Sequence, residues 1–94
     1  MFQNDRYLTC GVDNVIPLDL QMFLWSCVDG LPEPRDHLQI FDLKPVGGLQ
    51  SITHRSEVPE YRMEYLLPSD SPINEKIYVI DDGTHSTMLL CSEY

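Results

Sequence analysis

The alternation of apolar and polar positions divides the chain into one helical stretch and several extended ones. The first extended stretch runs from Asp5 to Val12 (DRYLTCGV), where Tyr7, Thr9 and Val12 favour strand and Asp13-Asn14 favour a turn. Gly11, inside it, marks a bulge or a close backbone approach. The periodicity then changes. Ile16, Leu20, Phe23, Leu24, Cys27 and Leu31 fall at helical spacing, which predicts a helix from Pro17 to about Asp29. Pro17 suits its first turn, Asp19 lies where the helix dipole favours negative charge, and Gly30, Pro32 and Pro34 end it. After the helix the chain reads as strand throughout. His37 to Lys44 and Leu49 to Ser56 flank a Pro45-Val46-Gly47-Gly48 turn. Tyr61 to Leu67 alternates cleanly, with Tyr61, Met63, Tyr65 and Leu67 on one face and Arg62 and Glu64 on the other. Pro68 to Asn74 is a loop. Glu75 to Ile80 and Thr84 to Ser92 close a last hairpin around Asp81-Asp82-Gly83.

The expected order is β-α-β-β-β-β-β. It implies an α+β fold in which one amphipathic helix packs on a curved, mostly antiparallel sheet of five or six strands. That is a roll on the plan of cystatin-like and NTF2-like folds. Residues 1–94 fit a single domain: there is no repeat, and the longest connection is too short for a linker. The helix also carries a second apolar set, Leu18, Met22 and Trp25, beside Gln21 and Asp29. One sheet face does not need it. Either a flanking segment covers this set or it is an interface, since Trp and Met are enriched in interface cores.

Composition narrows the function. The net charge is −9, with −4 from residues 1–47 (seven acids, three basic residues) and −5 from 48–94 (eight and three). That argues against direct grip on nucleic acid or an anionic membrane. The even spread favours solubility over mimicry of a nucleic-acid backbone. There is no signal-peptide pattern at the N-terminus and no apolar run of membrane-spanning length. Cys10, Cys27 and Cys91 are odd in number and form no CxxC pair, which fits reduced thiols in the cytoplasm.

Each reactive constellation has a plainer reading. The cysteines could meet His37, His54 or His85 as a nucleophile and base, but no signature of a cysteine enzyme is present; they read as small hydrophobes. Asp81-Asp82-Gly83-Thr84-His85 could hold a divalent cation, yet it is also an ordinary hairpin turn. Glu57, Glu60 and Glu64, with Arg62 between the latter two, read as a solvated strand face. Gly47-Gly48 is the only Gly pair and matches no phosphate-binding loop. A curved sheet could line a pocket with Tyr61, Tyr65 or Tyr78. No catalytic, cofactor-binding or metal residue is assigned.

The segments RYLTCGV, IPLDLQMFLWSCVDGLP and HLQIFDL together resemble the Domain of Unknown Function 960 family of small Gram-positive bacterial proteins, over Arg6 to Leu43. The resemblance implies a cytosolic bacterial protein, sometimes carried on plasmids or phage-like elements, without assigned catalytic residues. The expected function is that of a small acidic interaction or accessory module with a protein partner, self-associating through Leu18, Met22 and Trp25. The alternative is a small-molecule binder or simple enzyme using a pocket between helix and sheet.

Overall fold

The computed structural model describes residues 2–94. Strand β1 (Asp5–Leu8) leads into helices α1 (Cys10–Val15) and α2 (Leu18–Asp29). Strands β2 (Leu38–Val46), β3 (Leu49–Glu57), β4 (Glu60–Pro68), β5 (Glu75–Asp81) and β6 (His85–Leu90) follow, and a 3₁₀ turn (Cys91–Glu93) closes the chain. The strands form one sheet in the order β1-β6-β5-β2-β3-β4.

This overturns the expected fold class. The sheet is mixed, because β1 pairs parallel with β6 (Asp5↔His85, Leu8↔Met88). It is not a helix followed by a meander: strand accounts for 47% of the described residues and helix for 23%, with a short helix ahead of the main one. Two physical causes explain the error. Strand β1 stops at Leu8, because Thr9 caps α1 by accepting the Val12 N–H on its hydroxyl. Strand order, moreover, is not written in local periodicity. The segment after β4 returns to place β5 beside β2, on the far side of β2 from β3. Gln50 holds that returning segment, accepting from Ile73 N at 2.7 Å and donating to Ile73 O at 3.1 Å.

Helix α2 covers one face of the sheet. Between them lie Leu24, Val28, Phe41, Leu43, Ile52, Ile77, Val79 and Met88, all fully buried. The N-terminal arm completes this core: the Phe2 ring is fully buried, at a left-handed φ of 64°. Its N–H donates to Asp81 Oδ2 at 2.6 Å. At the other terminus, the Glu93 carboxylate accepts from Thr9 Oγ1 at 2.6 Å and from Gly11 N at 3.2 Å. Gly11 is therefore a point of close approach, since a Cβ there would lie 2.6 Å from the Glu93 carboxyl carbon.

Candidate functional site

The outer stripe of α2 is the first candidate. Leu24 and Val28 point into the core, so residues one-third to one-half turn away face the flanks or solvent. Leu18 and Met22 are 69% and 63% exposed. Trp25 differs. It packs partly against the core, and the Arg6 guanidinium lies 4.6 Å over its ring while pairing with Asp29 at the helix end. A flanking segment thus covers Trp25 and leaves Leu18 and Met22 uncovered. The opposite flank of α2 faces β4: Phe23 meets Tyr65 edge-on at 5.2 Å, and Cys27 lies beside the same tyrosine.

The tyrosines offered as alternative linings of a pocket lie on opposite faces. Tyr61 and Tyr65 stand on the helix face, where Tyr65 pairs with the buried Ile52. Tyr78 alternates with the buried Ile77 and Val79 and so stands on the open face, where Tyr94 meets it edge-on at 5.4 Å. Side chains fill the space between helix and sheet. A recess of ≈ 130 Å³ remains at the start of α2, lined by Pro17, Leu20, Phe23, Gln50, Leu67 and Ile73 among others.

The cysteines have tyrosine neighbours. Burial pushes the Cys27 thiol up, and Tyr65 is pushed to about 12 by burial and by Cys27. Cys91 Sγ donates to Tyr78 Oη at 3.4 Å, and Cys10 is exposed. The Asp-Asp-Gly turn spends its carboxylates locally. Asp82 accepts from His85 N at 3.0 Å and from Thr84 N at 2.9 Å, contacts that pull its carboxyl down to about 2. Asp81 accepts from Phe2, Asn4 and Gly83. Among the described residues no cluster of three His, Cys, Asp or Glu side chains is placed to hold a metal. Gly47, at φ 62°, serves the β2–β3 turn with open space around it.

His54 is a buried group that alternation alone could have placed inside, since it shares parity with Ile52. Its ring stacks on Phe41 at 4.3 Å and meets Tyr61 at 5.0 Å. Nε2 lies 2.7 Å from Gln39 Oε1, which makes Nε2 the protonated nitrogen, and buried Nδ1 has no partner. Burial lowers its pKa to about 4, so the ring is neutral.

Strand β4 is the site that local reading missed. Among the described residues it pairs with β3 alone and ends the sheet, with Arg62 and Glu64 on the open face and Met63 45% exposed on the helix face. The alternation of Tyr61 to Leu67 is visible in sequence; its place at the edge is not.

The family described as "Staphylococcal protein of unknown function (DUF960)" matches residues 5–93. The chain belongs to this family. It is also similar to a solved structure, "Crystal structure of the protein of unknown function from Enterococcus faecalis": 27% identity, TM-score 0.84, covering 97% of this chain and 91% of that one. No curated protein matches the chain at a significant level. Neither likeness assigns this DUF960 chain a function. Among the described residues no helix is long and apolar enough to cross a membrane.

Proposed function

We propose that this DUF960 protein is a small cytoplasmic interaction module that docks a protein partner on the outer stripe of α2. The observation that carries the reading is the exposure of Leu18 and Met22, one turn apart on a helix whose opposite face is anchored in the core. Large apolar side chains held in fixed register are what a partner's apolar groove selects. Trp25, braced by Arg6, forms the rigid inner border of the patch. The net charge of −9 directs the reading to a protein rather than to nucleic acid or an anionic membrane. The three free cysteines support the cytoplasmic setting. A small-molecule site usually calls for a recess of roughly 300–1,000 Å³; the one where α2 meets the sheet measures ≈ 130 Å³, and the wider ones of ≈ 400 and ≈ 430 Å³ lie away from the helix, on Arg35 to Leu38 with Glu57 and Val58 and on Asp42 to Lys44 with Asn74 to Lys76.

The test is affinity capture from the encoding organism with wild type and Leu18→Ser/Met22→Ser. A specific partner retained by wild type and lost by the double variant, with both equally folded, supports the reading. Equal retention by both overturns it.

A further inference from the structure

We propose that the chain forms a two-fold homodimer by antiparallel pairing of β4 with β4 of a second copy, centred on Met63. The surface is separate from the α2 stripe, and the inference does not depend on the partner-docking reading. Strand β4 offers nine residues in unbroken register with β3, and among the described residues no strand pairs with its other side. Sheet edges of this length usually carry a bulge, an interior proline or lysines that deter pairing. Between Glu60 and Leu67 there is no bulge, proline or lysine, and the charges there, Glu60, Arg62 and Glu64, are of both signs, so a second copy can pair them.

The free backbone groups can be assigned. Asp81 N donates to His37 O at 2.9 Å, so by antiparallel alternation Gln39, Phe41 and Leu43 turn their amides to β5, and Leu38, Ile40 and Asp42 turn theirs to β3. Carried through the Ile40↔Arg55 and His54↔Met63 registers, this makes Tyr61, Met63 and Tyr65 the residues that bond to β3. Glu57 N, which donates to Asp36 at 3.2 Å on the β2 side, agrees. Glu60, Arg62, Glu64 and Leu66 therefore present their N–H and C=O groups to the free edge.

The side chains select the register. Around a two-fold axis at Met63, the segment Tyr61-Arg62-Met63-Glu64-Tyr65 meets its own reverse: arginine faces glutamate, tyrosine faces tyrosine and methionine faces methionine. Arg62 and Glu64 already lie 3.5 Å apart on the open face of one chain, and both are well exposed. The two-fold brings two such pairs together as a four-charge cluster, with Tyr61, Met63 and Tyr65 meeting their counterparts on the helix face. Centring on Arg62 instead sets arginine against arginine and Glu60 against Glu64. Centring on Glu64 sets glutamate against glutamate. Like charges directly opposite destabilise a strand pair, and opposite charges and aromatics favour it.

Mass as a function of concentration, by sedimentation, tests the proposal on wild type, Arg62→Glu, Glu64→Arg and the double swap. Wild type is expected to dimerise. Each single swap sets like charges opposite at both pairs and weakens the dimer by on the order of tenfold; the double swap restores it. Both substituted positions are exposed on the open face, and circular dichroism confirms equal folding. In a non-hydrogen-bonded pair the Met63 Cα atoms would be about 4.5 Å apart, within disulfide reach. Met63→Cys in a Cys10→Ser background should therefore cross-link on oxidation. Leu18→Ser/Met22→Ser should leave the mass unchanged. A monomeric wild type, a dimer indifferent to the single swaps, a double swap no better than either single, absence of the Met63→Cys cross-link, or a dimer lost with Leu18 and Met22 would each overturn the proposal.

Discussion

Asp81 holds Phe2 in place across almost the whole length of the chain. The Phe2 N–H donates to Asp81 Oδ2 at 2.6 Å, and the ring behind it is fully buried. The contact joins the N-terminal arm to the end of β5, and Asn4 strengthens it by donating to Asp81 Oδ1 at 3.0 Å. A left-handed φ of 64° is costly for a phenylalanine, and burial of the ring offsets that cost.

Phe2→Ala should therefore destabilise the fold by about 3–5 kcal/mol, the usual cost of emptying a buried aromatic site. Chemical denaturation measures it. A loss below about 1 kcal/mol would mean that the arm is not part of the core.

Asp81→Asn should lower the melting temperature at neutral pH and flatten its fall in acid. Burial works to raise the Asp81 carboxyl, but Phe2, Gly83 and Asn4 outweigh it and hold the carboxyl below its ordinary 3.8. A carboxyl depressed in the folded state stabilises fully above its unfolded value and loses that contribution as pH falls through the folded one. The difference between wild type and Asp81→Asn should thus be full above about pH 4 and shrink below it.

His54 should give a second, earlier acid transition. Its folded pKa lies near 4 against an ordinary 6.5, because burial disfavours the charged ring. The folded state is then fully stabilised above pH 6.5 and loses up to ~3 kcal/mol as pH falls from 6.5 to 4. Denaturation at a series of pH values should show this slope in wild type. His54→Phe, which keeps the stack on Phe41, should remove it.

The elements with strong local signals were legible in the sequence. Helix α2 runs Leu18–Asp29 against an expected Pro17 to Asp29, because proline entry and apolar spacing act within its own turns; Gly30 ends it at a right-handed φ of −78° rather than in the left-handed conformation expected of a glycine there. The β2–β3 hairpin follows from Gly47 in the same way. What escaped depends on distant partners. Thr9 to Val12 reads as strand until Glu93, more than eighty residues on, supplies acceptors for Thr9 and Gly11. Tyr61 and Tyr78 read alike, and only the register of β3 and β5 puts them on opposite faces. The edge position of β4 exists only once β5 has crossed back to β2.

Within the α2 stripe, the three residues should separate by stability. Trp25→Ala removes a ring packed on the core and under Arg6, and should cost about 1–3 kcal/mol. Leu18→Ser and Met22→Ser remove side chains already in water and should each change stability by less than about 0.5 kcal/mol. Thermal melts of the three variants check the ranking. Equal losses would show that Leu18 and Met22 are covered in solution.

Gly11 and Glu93 should be coupled so strongly that one substitution changes the sign of the other. In wild type, Gly11→Ala drives a methyl group into the Glu93 carboxyl and displaces its contacts to Thr9, Gly11 and Leu90. The carboxylate is the end of an exposed side chain and can swing aside, so the cost is the loss of those hydrogen bonds, and Gly11→Ala should be net destabilising. In a Glu93→Ala background the obstruction is gone, and alanine within α1 should stabilise by roughly 0.5–1 kcal/mol, because glycine is the poorer helix former. A double-mutant cycle measures the coupling by denaturation of the four proteins. Additive effects would mean that the C-terminal turn does not sit on α1 in solution.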